Sequence, residues 1–312
     1  MTNAEKNREA WPSLSWDEWK DTAETLHMWT QIIGKVRLAL APKQQHWWNV
    51  PLYVSARGLT TSAMPIGAEF LEIEFDFVSH DLRFRLSTGS TLSTPLRSQS
   101  VSDFYAEFQR CLTALQLQVP IHPVPVEVKD PIPFHEDTRH ASYDANAAHR
   151  FWRVLMATDR VFQQFSSDFV GKISPVHFFW GSFDLAVSRF SGRPAPVPQG
   201  ADRVTQEAYS EEVISAGFWP GNGGFGKAAF YSYTVPAPPA LSTAAIEPQA
   251  AAFNTQLGEF ILEYQDLQNS PEPDSVVLQF LQTTYEAGAN LASWDRNTLE
   301  RSAASGRKPR TG

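Results

Sequence analysis

The sequence contains one cysteine, Cys111, among 312 residues, so no disulfide can form within the chain. Nothing therefore ties the fold to an oxidising compartment. No segment approaches the roughly 18 consecutive apolar residues of a membrane span. The first ten residues are polar and charged, and they have no apolar stretch typical of a secretory signal. We therefore expect a cytoplasmic protein without a membrane partner.

The chain is also poor in positive charge, with 26 Lys and Arg against 34 Asp and Glu, a net charge of −8. Because nucleic-acid binding relies on a clustered basic surface, we expect no nucleic-acid partner. Hydrophobic residues at 42% and charged residues at 19% are typical of a folded globular chain. Aromatic residues are plentiful, but they serve cores, stacking platforms and interfaces alike, so their number assigns no function.

Two kinds of hydrophobic periodicity predict the secondary structure. Apolar residues at spacings of three and four predict long helices over 16–40, 101–117, 145–170 and 275–292. Alternating residues predict an antiparallel hairpin of 71–77 and 82–86, with acidic side chains facing Arg83 and Arg85 as a structural pairing. The same reasoning predicts a long strand over 176–190, a short helix over 206–215, and strands over 228–235 and 260–264. The expected fold class is α+β, with antiparallel strands packed against about four long helices.

The start of the first helix and the single thiol permit two local predictions. Ser15 and Glu18 have the spacing of a capping box, in which each side chain satisfies a backbone donor of the other. Cys111 lies on the apolar stripe of its helix, which favours a buried structural thiol over a nucleophile.

Two halves of the chain follow a similar pattern. In each, a long helix ends in Gly-Lys-aliphatic and leads into a His-aromatic-aromatic segment. This pattern predicts two pseudo-equivalent α-β-β-α halves, about 11–118 and 143–292, within a single domain of residues 1–312. Five prolines in 119–133 indicate the connection between the halves. The basic end of the chain, 306–312, has no apolar residue to bury and is predicted to be disordered.

The glycine-rich segment 221–227 satisfies the spacing of a dinucleotide fingerprint. Phosphate loops need a strand before them and a helix after them, so that helix-end N–H groups meet the phosphates. Here a β-like pattern follows from Ala229, and Ala228 stands where a magnesium-binding hydroxyl is required. We interpret the segment as a flexible turn, and we predict no cofactor.

A weak metal candidate is formed by His135, Asp137 and His140. The histidines are five residues apart and follow two prolines, which excludes the helical zinc motif with its spacing of four. A loop that brings the three side chains around a divalent ion is one interpretation. A metal-free, hydrogen-bonded loop, with Asp144 capping the next helix, is the favoured alternative.

The most informative stretch runs from His177 to Trp219. Alternation places the apolar side chains of its first strand on a core face and Asp184 on the opposite face. A Ser-His-Asp triad of Ser182, His177 and Asp184 is excluded, because His177 and Ser182 would lie about 16 Å apart along one strand and on opposite faces.

Polar side chains in this stretch predict a pocket with an aromatic wall between the halves. Arginine suits carboxylates or phosphates, and we predict that Asp184, Arg189, Arg193, Glu207, Tyr209 and Trp219 converge. Loop anchoring, for example by an Arg189–Glu207 ion pair, is the alternative. The full set of candidate ligand-binding residues is His177, Trp180, Asp184, Arg189, Arg193, Glu207, Tyr209, Ser210 and Trp219.

Several phrases of the sequence identify a family resemblance. They are SPVHFFWGSFD at 174–184, FSGR at 190–193, EAYS at 207–210, GFWPG at 217–221 and the opening Trp11-Pro12. Together they resemble the bacterial "domain of unknown function 5996" family over nearly the whole chain. The resemblance implies one whole-chain unit, indicates no reaction and supplies no catalytic residues.

The expected function is the binding of an unknown small molecule, and the sequence leaves open whether the protein is also an enzyme. A competing hypothesis is a protein-interaction or homo-oligomerising module that uses Trp47, Trp48 and Trp219, since tryptophan is favoured at binding hot spots. Saccharide stacking on the same tryptophans is a third hypothesis. The oligomeric state is not predicted.

Overall fold

The computed structural model describes residues 10–196, 200–268 and 270–301. Within these residues, helices cover two antiparallel six-stranded sheets, which confirms the predicted α+β class. The predicted disordered segment, 306–312, lies outside the described residues. No helix in the described ranges is long and apolar enough to cross a membrane.

Four helices of the described chain are long, as predicted, and the others are one or two turns in length. The α-helices are α1 (Trp16–Leu40), α2 (Val101–Ala114), α3 (Ala145–Ser167), α4 (Arg203–Ala208), α5 (Tyr264–Gln268), α6 (Pro273–Leu291) and α7 (Arg296–Leu299). Single 3-10 turns are present at Gln45–Trp47 and Leu241–Thr243.

The helix starts show one cap that is confirmed and one that is wrong. Asp144 caps α3, because its carboxylate accepts hydrogen bonds from the N–H groups of Asn146 and Ala147 at 2.8 and 3.1 Å. The predicted capping box of α1 is not formed, since the Ser15 hydroxyl makes no capping bond. The Glu18 N–H instead donates to the backbone carbonyl of Ser15 at 3.1 Å, so this donor needs no side chain.

The first sheet confirms the predicted hairpin. Its strands are β1 (Tyr53–Val54), β2 (Gly58–Thr60), β3 (Met64–Ile66), β4 (Glu69–Asp76), β5 (Asp81–Leu86) and β6 (Thr91–Pro95). They are ordered β1-β2-β4-β5-β6, and β3 also pairs with β4. Glu72 lies opposite Arg85 and Glu74 opposite Arg83, so acidic and basic side chains share one face of the sheet.

The second sheet is built entirely from the second half of the chain. Its strands are β7 (His177–Phe179), β8 (Asp184–Pro194), β9 (Glu211–Trp219), β10 (Ala229–Val235), β11 (Ala252–Asn254) and β12 (Glu259–Glu263). The order is β11-β12-β10-β9-β8-β7, and every neighbouring pair is antiparallel.

The predicted single strand over 176–190 is wrong, because the chain reverses direction between β7 and β8. Phe183 has a positive φ of 62° and donates its N–H to the carbonyl of Phe179 at 2.8 Å, which closes the turn. His177 therefore lies opposite Ala186. The sequence argument against a triad assumed that His177 and Ser182 lie far apart on one strand, and this assumption is wrong. The triad is still not formed, since neither ring nitrogen of His177 has a hydrogen-bond partner among the described residues.

The predicted helix over 206–215 is also wrong in most of its length. The helical segment is α4, and the chain from Glu211 onward belongs to β9. Ile214 of β9 lies opposite Arg189 of β8 on one side and opposite Thr234 of β10 on the other. Hydrogen bonding on both edges outweighs the local helical preference, because strand formation depends on neighbouring strands.

One hydrophobic core extends across both sheets. The helices α3 and α6 pack on the same side of the second sheet, and α1 contacts both α2 and α3. A bridge between Leu52 and Phe178 joins the first half of the chain to β7. Cys111 of α2 is buried, and burial raises the pKa of its thiol. The internal repeat and the halves 11–118 and 143–292 stay predictions.

Candidate functional site

The two faces of β8 have different surroundings. Leu185 and Val187 are fully buried in the main core. Asp184, Ala186 and Ser188 point to the opposite side, as strand alternation requires. The helices thus cover one face of the second sheet and leave the other available for a cavity.

A cavity of about 620 Å³ lies over this second face. It is closed by residues around His46–Val50 from the first half, by Glu127 from the connection and by α4. Its aromatic walls are Trp47, Trp48, Phe179, Phe190 and Trp219. Its polar groups are the hydroxyls of Ser182, Ser188, Tyr209, Ser215, Tyr231 and Tyr233 and the carboxyls of Glu127, Asp184 and Glu259.

Hydrogen bonds organise these polar groups in pairs and in one triplet. The Asp184 carboxylate accepts from the Ser182 hydroxyl at 2.5 Å and from the Tyr231 hydroxyl. The ring of Tyr231 reaches Asp184 across Gly217, where a Cβ atom would lie 2.3 Å from the ring. The hydroxyls of Tyr209 and Tyr233 are 3.0 Å apart. The absence of a side chain at Gly217 of β9 therefore leaves space for the Tyr231 ring to reach Asp184.

Burial raises the pKa of each carboxyl of the cavity. Burial raises the pKa of Asp184, and its hydroxyl partners only partly oppose this effect. Burial, together with the charge of Asp184, raises the pKa of Glu259 to about 7. Desolvation and the same charge also raise the pKa of Glu127, whose side chain is largely exposed to solvent. No lysine or arginine is among the described residues that line the cavity.

A second polar group, centred on His46, closes one end of the cavity. The Nδ1–H of His46 donates to the carbonyl oxygen of Ala208 at 3.0 Å, which anchors α4. This assignment leaves Nε2 as an acceptor for the ammonium of Lys172 at 2.7 Å. Lys172 also donates to Glu211 at 2.5 Å. Lys172 is therefore already paired with an acid of the chain.

The backbone around the cavity is strained at several positions. His46, Trp47, Glu127 and Phe183 have φ values of 52°, 60°, 58° and 62°, in the left-handed region that non-glycine residues rarely adopt. Such a conformation costs of order 1–3 kcal/mol per residue and is concentrated at functional sites. The first three of these residues line the cavity, and Phe183 lies between two that do. The strain therefore supports this cavity as the candidate site.

Three of the residues predicted to bind ligand line this cavity: Asp184, Tyr209 and Trp219. Arg189 does not join them, so the predicted convergence is wrong for this residue. It lies five residues after Asp184, on the opposite face of β8, and it is 1% exposed. Its guanidinium stacks 3.4 Å from the ring centroid of Phe165 and 4.3 Å from that of Tyr285. Burial lowers its pKa to about 10.

The predicted convergence is also wrong for Arg193 and Glu207. Arg193 pairs with Glu212 at 2.6 Å and donates to the carbonyl of Ala292 at 2.7 Å, at the end of α6. Glu207 pairs with Lys43 at 2.7 Å. The predicted Arg189–Glu207 ion pair is not formed among the described residues, because Glu207 pairs with Lys43 and Arg189 is buried on the other face of β8. The Arg193 and Glu207 side chains thus anchor loops and helix ends, as the alternative to a ligand-binding role predicted.

The other candidates of this stretch lie beside the cavity without lining it. His177 is 1% exposed, lies against the rings of Trp48 and Phe179, and has its pKa lowered to about 3 by burial and by Arg37. The Trp180 N–H donates to the carbonyl of Val50 at 2.8 Å. Ser210 is exposed, and its hydroxyl donates to the Glu207 carbonyl at 2.9 Å.

The residues 135–140 form a hydrogen-bonded loop. His140 Nδ1 lies 2.6 Å from the Asp137 carboxylate, which also accepts from two backbone N–H groups. His135 instead faces Glu136 at 3.3 Å. Across the described part of the chain, no three His, Cys, Asp or Glu side chains are arranged to hold a metal ion. His135 therefore does not lie with His140 and Asp137.

The glycine-rich segment 221–227 is a turn between β9 and β10, as predicted, and a strand follows it. Gly221, Gly223, Gly224 and Gly226 all have positive φ. Asn222 donates to the carbonyl of Ser182 at 2.8 Å and borders the cavity. The turn thus forms part of the cavity wall.

Sequence reasoning missed several lining residues as ligand-binding candidates, most clearly Tyr231, Tyr233, Glu259 and Glu127. The strand containing the two tyrosines was predicted, and its alternation puts both on one face. Combining that face with the polar face of β8 would have found them. No local signal marks Glu259 or Glu127, because each reaches the cavity from a distant segment.

Comparison with known proteins confirms the family resemblance. A search of curated proteins and of solved structures gives no match. The family of unknown function DUF5996 matches residues 11–301, nearly the whole chain. A match of this extent includes both sheets and every segment that forms the cavity. The chain therefore belongs to the family of unknown function DUF5996.

Proposed function

We propose that the protein binds a small organic molecule in the cavity over the second sheet. The observation that carries this proposal is the combination, in about 620 Å³, of aromatic walls with hydroxyl and carboxyl groups that have no ion-pair partner among the described residues. Small-molecule sites typically occupy 300–1,000 Å³ and combine an apolar lining with a few placed polar groups.

The position of the tryptophans favours a ligand over a protein partner. Trp47, Trp48 and Trp219 are half-buried and border the cavity from different segments of the chain. A protein-interaction hot spot is instead expected to present its aromatic side chains on a common surface. The interaction hypothesis stays a prediction, as does saccharide stacking on these rings.

A thermal-shift screen against a metabolite library tests the proposal. A ligand of the native state raises the apparent stability, by about 2.7 kcal/mol at 100 times its dissociation constant. Ala186 is 4% exposed and lines the cavity, so Ala186→Leu adds bulk inside it. We expect hits with the wild-type protein whose stabilisation is lost in this variant.

Ser210→Leu is the matched control, because it adds a similar side chain on the exposed surface next to α4. Stabilisation by a cavity ligand should persist in the control. If every hit stabilises Ala186→Leu as strongly as the wild-type protein, the ligands bind elsewhere and the proposal is rejected. Ser188→Leu repeats the test from the neighbouring position of the same strand, should Ala186→Leu fold poorly.

A further inference from the structure

The carboxyls of the cavity lack the arginine partner that several other acids of the described chain have. Glu74, Glu212 and Glu300 each pair with an arginine, at 2.6 Å in all three cases. Asp184 is 7% exposed, and its described partners are hydroxyl groups. Glu259 and Glu127 make no ion pair among the described residues. The described lining of the cavity therefore contains three carboxyls and no lysine or arginine to pair with them.

The aromatic rings of the cavity are suited to cover a cation. Lysine ammonium groups of the chain already lie over three of them: Lys43 is 4.8 Å from the ring centroid of Trp47, and Lys172 is 5.1 Å from that of Phe190 and 5.8 Å from that of Trp48. Electron-rich ring faces attract cations at such distances. Because these rings line the cavity, a bound cation can make the same kind of interaction with them.

We propose that the ligand is an organic amine, bound in its protonated form, with its ammonium group beside Asp184 and its apolar part against the tryptophan walls. This inference rests on the proposed function and specifies the class of ligand. Asp184 is the central anion, because its charge acts on both Glu259 and Glu127. An anionic ligand would meet three carboxyls and no lysine or arginine among the described lining residues. The cavity thus selects by charge as well as by shape.

Three probes with one aromatic group and different charges test this class. They are tryptamine, which is a cation, tryptophol, which is neutral, and indole-3-propionate, which is an anion. Isothermal titration at neutral pH should give at least tenfold tighter binding of tryptamine than of tryptophol, and no binding of indole-3-propionate. In Asp184→Asn, the affinity for tryptamine should fall at least tenfold, while the affinity for tryptophol should change less than twofold. Glu259→Gln repeats the comparison if Asp184→Asn folds poorly.

Glu212→Gln is the matched control, since it also removes one negative charge but at an acid that pairs with Arg193 outside the cavity. It should bind tryptamine like the wild-type protein. Equal affinity for tryptamine and tryptophol, or tightest binding of indole-3-propionate, overturns the amine class and leaves the proposed function intact. Absence of binding by all three also rejects the amine class as formulated, whereas the proposed function fails only if the cavity-filling screen fails too.

Discussion

The two sheets contain buried acids in opposite electrostatic settings. On the first sheet, Asp76 is fully buried, and its carboxylate accepts from Arg57 at 2.5 Å and from the backbone N–H groups of Val78 and Ser79. Burial acts to raise its pKa, but Arg57, these N–H groups and Arg83 outweigh that effect and lower it. Neighbouring charges thus keep a buried carboxyl ionised.

On the second sheet, Asp184 is buried to a similar degree, and no cation pairs with it in the part of the chain that the structure describes. Its partners are the hydroxyls of Ser182 and Tyr231, and its pKa is raised. The comparison shows that burial alone does not determine the pKa of an acid, because the neighbouring groups decide whether the pKa is raised or lowered. Paired acids stabilise the first sheet, whereas unpaired acids around a cavity mark a candidate functional site.

The largest loss of stability is expected from Arg189→Ala. This variant tests whether the buried arginine of the second sheet stabilises the fold and has no role in the cavity on the opposite face of β8. We expect the free energy of unfolding to fall by about 3–5 kcal/mol, because a large buried side chain is removed from between Phe165 and Tyr285. Urea denaturation measures the loss. Arg193→Ala, at a 46% exposed arginine, should cost less than about 1 kcal/mol.

Neither arginine variant should change the affinity of a cavity ligand. A substantial loss of tryptamine affinity in folded Arg189→Ala would contradict the assignment of this residue to the opposite face.

A matched pair of substitutions tests the comparison itself. Asp76→Asn should cost about 2 kcal/mol at neutral pH, because it removes charge-assisted hydrogen bonds to an arginine. Asp184→Asn should change the stability by less than about 1 kcal/mol, since no cation loses its partner. Denaturant unfolding of both variants gives the two values. Equal losses would show that Asp184 has a charged partner in solution, and the contrast between the sheets would be wrong.

The smallest effect concerns the pH dependence of Glu259→Gln. Glu259 has a pKa of about 7 in the folded protein, above its ordinary value of 4.5. A raised folded pKa means that stability is fully present below about 4.5 and is lost as the pH rises through 7. The variant should therefore match the wild-type protein at pH 4. At pH 8 it should be more stable by about 1–2 kcal/mol, allowing for partial solvent screening.

Thermal unfolding across this pH range measures the difference between the two curves. Asp184 has a raised pKa as well, so the slope should be reduced rather than abolished. Parallel curves for variant and wild-type protein would show that Glu259 is well solvated.

The fold was more predictable than the site. The first hairpin was predicted correctly because its strands are adjacent in sequence and alternate strictly, as the pairing of Ile73 with Phe84 confirms. The turn at Phe183 was missed because a residue with a bulky side chain rarely adopts positive φ, and no local signal marks it. Arg189 was placed in the pocket because it is polar, although its odd spacing from Asp184 already assigned it to the opposite face.

The sequence by itself determined the long helices, the alternation of the strands and the small, polar character of one face of β8, since these depend on residues close together in the chain. Only the tertiary structure decided which acids would be paired. Glu74 is neutralised within one hairpin, 11 residues from Arg85. Asp184 meets Tyr231 across 47 residues, and the carboxyls that share its cavity come from segments still further away. Which groups surround a buried charge depends on strand order, and strand order is a property of the whole fold.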